Sequence, residues 1–397
     1  MQKSAWAEVR TDLLKHNLEV IRRQLKKGTQ VCAVLKADAY GHGLHEMATF
    51  LKQNGLVDKI AVGKMWELEK CLEREAPDQD GAVPDRETAD TGRRRDDRME
   101  ILLLGASEAD EIEAKFAQRK EIFEIAVFSI YSMRQFRDLE ALGDKLGCHI
   151  RVHIRVDGWK SGMGLSYEEF LTCEEELFAA GHVKICGLYS HLYTAYTEDD
   201  SEIIHELERF DHFVGMVNPV YRKLLTVHVL NSALVFRHPE YAFDMVRAGT
   251  ALYGLPCYDG RGLKPVMRIC AEIFDVRDVD PSVPLSYETV KNGDGARRIA
   301  RIMLGYWDSP LLLTQKDVRV RIRGRLFRLA DEVCMDNLCI DVTGAKDVAV
   351  GDTAVLLGEE GVTIRDQLER NGIHYVHSEW LCMTAGRLEK VYTGKGV

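Results

Sequence analysis

Short runs of apolar and β-branched residues recur along the first 256 residues, and each run is typical of a strand that is buried on both faces. Eight such runs occur, at residues 30–35, 59–63, 100–105, 123–129, 149–156, 183–190, 226–231 and 243–249. Most of them are separated by stretches with apolar residues at helical spacing, several of which end at a Gly that can serve as a C-cap. This alternation predicts an α/β fold, a (β/α)₈ barrel of the TIM type, over residues 1–256.

After about Pro256 the pattern changes to strand-like runs that are separated by turn residues, with little helix. The runs lie at residues 268–279, 296–304, 317–324, 337–344 and 351–358, and one helix is expected at 363–372. Residues 257–397 are therefore predicted to form a mainly β C-terminal domain. Residues 4–10, which precede the first predicted helix, are a candidate strand of this second domain.

Residues 76–98 contain almost no large apolar side chains and are rich in charge, Pro and Gly. Such a segment cannot contribute to a core, and we interpret it as a charged, solvated loop inserted between a helix and a strand. A loop that binds a partner through Arg93, Arg94 and Arg95 is the alternative interpretation.

The composition excludes several classes of protein. The chain of 397 residues has 46% hydrophobic residues and a formal net charge of −10, so no general positive field attracts it to nucleic acid or anionic lipid. No run approaches the roughly 18 apolar residues of a membrane span, and the N-terminus lacks an apolar signal region, which predicts a cytoplasmic protein. The 10 Cys include no C-x-x-C pair, so neither a metal site nor a disulfide framework is expected.

Candidate chemistry begins at the end of the first barrel strand, because active sites of such barrels lie at the C-terminal ends of their strands. The segment 31–43 reads VCAVLKADAYGHG, and it delivers Lys36 at the end of a buried strand. A lysine there can act as a nucleophile that forms an imine. Lys36 alone would be better interpreted as a lysine that extends to solvent from a strand end, but the Tyr40, Gly41, His42 and Gly43 that follow strongly favour a functional role.

The segment AVLKADAYGHG resembles the cofactor-lysine motif of alanine racemases, which are pyridoxal phosphate (PLP) enzymes. The resemblance extends over nearly the whole chain, through the segments AWAEVRTDLLKHNL, MVRAGTALYG, LSYETV, LGYWDS and CMDNLCIDVTG. It implies a barrel followed by a β domain. It also implies a homodimer in which the second domain of one subunit completes the active site of the other.

The resemblance also assigns the cofactor residues. Lys36 would bind PLP covalently and accept the substrate proton on one face, and Arg247 would face the pyridine nitrogen. The residues implied around the phosphate are Tyr40, Asn231, Ser232, Gly249 and Thr250. Without the resemblance, Asn231 and Ser232 would be interpreted as a helix cap only.

The second base implied by the resemblance is Tyr287 in PLSYETV, on the opposite face of the substrate from Lys36. A tyrosine needs cationic neighbours to act as a base near neutral pH. Arg247 and His191 are expected to supply them, with His191 linking the arginine to the tyrosine. Three further residues would lie at the substrate or its entrance: Tyr306, Met335 and Asp336.

The sequence departs from the family in two places. In IRVDGWKSGMGL, Arg155 stands where the family has a lysine, and Gly162 stands where it has the arginine that binds the substrate carboxylate. Arg155 and Lys160 are the candidate replacements for that arginine. Near the C-terminus, Ser378 stands where the family has a tyrosine, and the smaller side chain leaves volume for serine or a larger amino acid.

The leading hypothesis is therefore a PLP-dependent amino-acid racemase that interconverts L- and D-alanine by a two-base mechanism. A D-alanine product would imply a role in the supply of peptidoglycan precursors. One alternative is a racemase of the same mechanism that acts on serine or a larger amino acid. The alternative from another class is a regulatory protein that binds PLP without turnover.

Overall fold

The computed structural model describes residues 4–72, 99–158, 162–197, 199–255, 262–280, 285, 297–310, 316–373 and 378–394. Two sheets of eight strands organise these residues. The first sheet contains only parallel pairings, and the second is largely antiparallel, so the two regions differ in architecture as the sequence pattern predicts.

The parallel sheet forms the barrel. Its strands are β2 (Gln30–Val34), β3 (Lys59–Val62), β4 (Ile101–Ala106), β5 (Ala126–Ile130), β6 (Ile150–Arg155), β7 (Val183–Tyr189), β8 (Thr226–His228) and β9 (Met245–Ala248). The spatial order is β8-β7-β6-β5-β4-β3-β2-β9. Backbone hydrogen bonds from Asp244 N to Val227 O and from Arg247 N to Leu230 O join the two edge strands, at 3.1 and 3.0 Å. All eight predicted barrel strands are confirmed.

Helices cover the outside of this barrel. They are α1 (Thr11–Arg22), α3 (Leu44–Gln53), α4 (Met65–Leu72), α5 (Ala109–Phe116), α6 (Met133–Leu146), α7 (Tyr167–Ala179), α8 (Asp200–Met216), α9 (Pro219–Arg222) and α10 (Leu234–Arg237), and α2 (Lys36–Tyr40) is a short left-handed segment described below. Local sequence signals determine where several of these helices begin or end. The Ser166 side chain accepts from the Glu169 backbone in a capping box that starts α7, and Gly147 in the left-handed conformation ends α6.

The second sheet contains β10 (Met267–Val279), β11 (Arg297–Ile302), β12 (Arg319–Ile322), β13 (Arg325–Leu329), β14 (Leu338–Asp341), β15 (Thr353–Leu357) and β16 (Lys390–Thr393). Strand β1 (Ala5–Arg10) belongs to it as well, because β1 pairs with β10 and β16. The long β10 also pairs with β11, which closes six strands into a ring.

Two helices accompany the second sheet. The helix expected at 363–372 is observed as α11 (Ile364–Arg370), and α12 (Ser378–Cys382) was not predicted, since five residues carry no helical period. The pattern also missed β13 and β16, which have half-buried or exposed residues rather than a buried apolar run. One apolar core runs through the barrel into this second domain.

Candidate active site

A cavity of about 490 Å³ lies where the barrel strands end. Its volume falls in the range of small-molecule sites, which is about 300–1,000 Å³. Polar side chains from several strands converge on it, as expected for the C-terminal face of such a barrel. They include Lys36, Tyr40, Arg155, Tyr189, His191, Asn231, Ser232, Arg247, Thr250 and Ser378.

Lys36 begins a left-handed backbone segment, α2, directly after β2. The φ angles of Ala37, Asp38, Ala39 and Tyr40 lie between 52° and 56°. Each such residue costs about 1–2 kcal/mol relative to the right-handed conformation, so neighbouring contacts must hold the segment. The buried Glu67 carboxylate accepts from Ala37 N at 2.6 Å and from Gly63 N at 2.7 Å, which ties the segment to the end of β3.

A second carboxylate fixes the other end of this segment. Asp38 Oδ1 accepts from the backbone N–H of Leu44 at 2.8 Å, at the start of α3. Its other oxygen forms an ion pair with Lys390 at 3.2 Å. The strained segment thus turns the Lys36 amine into the cavity while Tyr40 is buried beside it.

Tyr40, Asn231, Ser232 and Gly249 meet at one end of the cavity. Ser232 Oγ accepts from Gly249 N at 2.8 Å and from Ala251 N at 3.2 Å, so its hydroxyl hydrogen remains available as a donor. The expected backbone donor at Gly249 is therefore already engaged, which corrects that part of the prediction. A Cβ atom at Gly249 would lie 2.8 Å from Tyr40 Oη, and only glycine permits this close approach.

Asn231 caps a helix, and its amide nitrogen is also available to a ligand such as the expected phosphate. Its Oδ1 accepts from the backbone N–H groups of Ala233 and Leu234 at 3.0 and 3.3 Å, which is a helix cap. Its Nδ2 is buried and has no hydrogen-bond partner within the described ranges. An unpaired buried amide of this kind costs free energy and favours an acceptor that a ligand can supply.

Arg247 is buried at the end of β9, and its donors are directed to uncharged acceptors. Nη2 donates to the carbonyls of Ser190 and Val229, at 2.8 and 3.1 Å, and Nη1 donates to His228 Nδ1 at 2.6 Å. Burial lowers the pKa of this guanidinium to about 10, which leaves it protonated at neutral pH. Arg247 is thus a fixed cation in the wall of the cavity.

The Arg247 contact determines the tautomers of two buried histidines that the sequence analysis missed. Because arginine can only donate, His228 Nδ1 must accept, and the proton lies on Nε2. His228 Nε2 then donates to His153 Nδ1 at 2.8 Å. The repeating HIRVHIRV and TVHVLN segments could have indicated these residues, since a polar side chain at every second position of a buried strand points into a barrel.

His191 lines the cavity but does not have the predicted electrostatic role. Burial, together with the positive charges of Arg247, Arg155 and Lys36, lowers the pKa of His191 to about 3. The imidazole is therefore neutral, and the expectation that it is a cationic neighbour was wrong. Within the described ranges Arg247 hydrogen-bonds His228 instead, and the ring contact of His191 is with Tyr193 at 5.3 Å.

Comparison with known proteins agrees with this geometry. The profile of the alanine racemase N-terminal domain matches residues 9–256, and that of the alanine racemase C-terminal domain matches residues 266–392. The chain belongs to the alanine racemase family. An alanine racemase of Nostoc sp. is 30% identical over 399 residues, which cover 98% of this chain and 95% of that protein.

Two further comparisons extend over whole chains. An alanine racemase of Desulfovibrio desulfuricans is 27% identical over 394 residues, and the alignment covers 98% of each chain. A solved alanine racemase structure from Clostridium difficile 630 superposes with a TM-score of 0.81 at 27% identity, covering 99% of this chain and 96% of that one. The fold of the family thus extends over both domains of this chain.

Three residues that the family resemblance assigns to the substrate lie away from this cavity. Tyr306, Met335 and Asp336 are in two adjoining loops of the second domain, where Tyr306 N donates to Cys334 O at 3.1 Å. Arg387 connects the loops, since it hydrogen-bonds Asp308 at 2.8 Å and also Asp336. Met335 is 48% exposed, and none of the three lines the cavity of its own chain.

The remaining predicted residues lie at the cavity, in the loop after β6 or outside the described ranges. Ser378, at the start of α12, lines the cavity together with Lys36. Gly162 lies in the loop after β6 with a φ of +61°. Tyr287, Lys160 and the 76–98 insertion lie outside the described residues.

The residues of this family member fit PLP in three respects. The Lys36 amine supplies the nucleophile, and Arg247 supplies a permanent cation. Tyr40, Ser232 and the unpaired Asn231 amide supply hydrogen-bond donors at one end of the cavity, as an anionic phosphate requires. We therefore take Lys36 as the residue that would hold the cofactor and this donor cluster as its phosphate site. None of the helices in the described ranges combines the length and apolar composition that crossing a bilayer requires.

Proposed function

We propose that this protein is a PLP-dependent amino-acid racemase that interconverts L- and D-alanine. The observation that carries the proposal is the cavity at the end of the barrel, in which a lysine amine, a buried arginine and a cluster of hydrogen-bond donors converge. The names of the relatives over nearly the full chain support alanine as the substrate. The similar Clostridium difficile structure in complex with cycloserine, at 26% identity and a TM-score of 0.81, also supports an amino-acid ligand.

Bound PLP supplies the electron sink that makes the α-proton of an amino acid acidic. Lys36 then acts as one base, because its amine extends into the cavity and can take or return a proton at the α-carbon. Arg247 donates to its acceptors and cannot itself take a proton at neutral pH. This restricts how far negative charge is delocalised, which favours proton return at the α-carbon over side reactions such as transamination.

The second base is proposed from the family resemblance alone to be Tyr287. Inversion at the α-carbon requires removal of the proton from one face and its return to the other, so two groups on opposite faces are the simplest arrangement. We further propose that the protein is a homodimer. Tyr306 and Met335 lie outside the cavity of their own chain, which supports a site completed by the second domain of another subunit.

A second candidate substrate follows from Ser378. This side chain lines the cavity where a tyrosine would be considerably larger. The additional volume favours serine or a larger amino acid as a substrate beside alanine. The cytoplasmic location and the role in peptidoglycan precursor supply stay predictions.

The test is exchange of the α-proton with deuterated solvent, followed by NMR, for both enantiomers of alanine and serine. We expect exchange by the wild-type protein, none in Lys36→Ala, and strongly reduced exchange from one enantiomer in Tyr287→Phe. Lys26→Ala is the control, because this exposed lysine precedes β2 at the opposite end of the barrel. Absence of exchange across the common amino acids would refute the racemase and favour the regulatory alternative.

A further inference from the structure

Arg155 is a buried cation at the entrance of the barrel interior. It is the last residue of β6, and the alternation of side chains along a strand places it on the same face as Arg151 and His153. It is 8% exposed and lines the cavity together with Lys36. Its guanidinium is permanently protonated, so a positive charge is fixed at this position.

The guanidinium of Arg155 contacts two tyrosine rings and the hydroxyl group of one of them. Its central carbon lies 5.5 Å from the ring centre of Tyr131 and 5.9 Å from that of Tyr193. Nη2 donates to Tyr193 Oη at 2.9 Å. Nε is buried and has no hydrogen-bond partner in the part of the chain that the structure describes. One N–H of a buried cation is thus left to be satisfied by a ligand.

The backbone around Arg155 holds the side chain in place. Leu165 N donates to Arg155 O at 3.0 Å, so the loop after β6 folds back over the end of the strand. A Cβ atom at Gly164 would lie 2.5 Å from Arg155 O and 3.0 Å from its Cγ. Gly164 therefore permits close packing against the aliphatic stem, and the guanidinium cannot move away without opening this contact.

The other arginine on this face of β6 has a counter-ion. Arg151 pairs with the Glu100 carboxylate, which also binds Lys59 at 2.6 Å. Among the described residues no carboxylate forms an ion pair with Arg155. A buried charge without a counter-ion is unfavourable, and an anion that enters the cavity relieves that cost.

We propose that Arg155 binds the carboxylate of the amino-acid substrate. This inference deepens the proposed function and rests on it, because the function identifies the anion as an α-amino acid. Gly162 has no side chain with which to bind a carboxylate. Arg155 provides instead a guanidinium that aromatic rings hold in place, with one N–H directed at no protein acceptor.

The test measures binding of propionate, a carboxylate with no amine to react, to the PLP-loaded enzyme by isothermal titration calorimetry. Loss of a charge-assisted hydrogen bond predicts that Arg155→Met weakens propionate binding about 10- to 100-fold. Arg155→Lys should give an intermediate value, and propionamide, which is uncharged, should bind all three proteins alike. The KM for alanine should rise with the propionate dissociation constant in each variant.

Arg151→Met is the matched control, since it removes the same side chain from the same face of β6 without altering the cavity. Unchanged propionate affinity in Arg155→Met would overturn the proposal, as would equal weakening of propionamide, which would indicate a packing role. Weakening in Lys160→Met alone would also overturn it. A wild-type protein that binds propionate through Arg155 but racemises no amino acid would refute the proposed function, while Arg155 would still be a carboxylate-binding residue.

Discussion

Substitution of Gly249 by alanine tests the construction of the proposed phosphate site most directly. The added Cβ atom would lie 2.8 Å from Tyr40 Oη and 3.3 Å from Tyr40 Cζ, both closer than ordinary van der Waals contact. Packing limits how Tyr40 can adjust in directions other than toward the cavity that it lines. Tyr40 is 7% exposed, its ring centre lies 5.4 Å from that of Tyr253, and its backbone is in the left-handed conformation.

The Gly249→Ala substitution should weaken PLP binding more than it destabilises the fold. In the absence of PLP the Tyr40 hydroxyl can shift into the open cavity, whereas a bound phosphate would occupy that space. Overpacking of a tight site costs about 1–3 kcal/mol. At 1.4 kcal/mol per factor of ten, the PLP dissociation constant should rise by about 5- to 150-fold. The melting temperature of the apoenzyme should change little.

The assay is titration of the apoenzyme with PLP, followed by absorbance. Gly215→Ala is the control, because a Cβ atom at this position in α8 meets nothing within 4 Å. Combining Gly249→Ala with Tyr40→Phe separates the clash from other effects, since removal of the hydroxyl relieves the closest contact. The double variant should bind PLP no more weakly than Tyr40→Phe alone. A dissociation constant for Gly249→Ala within twofold of wild type would refute this reasoning.

Two further predictions concern His42 and Ser378. Burial lowers the pKa of His42 to about 4, and its Nδ1 lies 3.0 Å from Tyr40 O. Below pH 6.5 the unfolded chain therefore binds a proton that the folded chain does not, and His42 reduces stability by up to about 1.4 kcal/mol per pH unit between pH 6.5 and 4. Urea denaturation at a series of pH values should show that the free energy of unfolding falls less steeply with decreasing pH in His42→Asn than in the wild type. The same dependence on pH in both proteins would contradict this assignment. Ser378→Tyr should lower kcat/KM for serine relative to alanine because it fills cavity volume, whereas Ser378→Ala should preserve the ratio; equal ratios in both variants would show that this position does not select the substrate.

The barrel was predictable from the sequence because most residues of its strands are buried, so that short runs rich in apolar and β-branched residues alternate with stretches of helical spacing. Strand β13, with the sequence RLFRL, has no such run, since its residues are exposed or half-buried and only Phe327 and Leu329 pack against the core. The pairing of β1 with β10 joins residues that are more than 250 positions apart in the chain. No local pattern encodes that contact, although the position of β1 before the first helix suggested it.

Much of the candidate site was predictable only through the resemblance to a known family. Lys36 and Arg247 lie in segments for which that resemblance implied a cofactor site, and both line the cavity. The protonation state of His191 was not predictable, because its pKa is lowered by burial and by three cations that other elements bring close to it. The surroundings of Arg155 are likewise formed by Tyr189 at the end of β7 and by tyrosines in the loops after β5 and β7, so its unpaired Nε could be recognised only in the folded chain.

Charge in the barrel interior explains why this end of the fold suits anions. Arg151, deeper in the barrel, forms an ion pair with Glu100, a carboxylate that it shares with Lys59. At the end of β9 the cation Arg247 donates to carbonyl groups and to a neutral imidazole, and its guanidinium lies over the ring of Tyr189. At the end of β6 the guanidinium of Arg155 contacts the rings of Tyr131 and Tyr193, and it forms no ion pair with a carboxylate of the described residues. Positive charge therefore has fewer carboxylate partners toward the cavity, and in a region of low dielectric constant it would favour binding of the proposed phosphate and carboxylate. Burial, together with these positive charges, keeps His191 and His228 neutral.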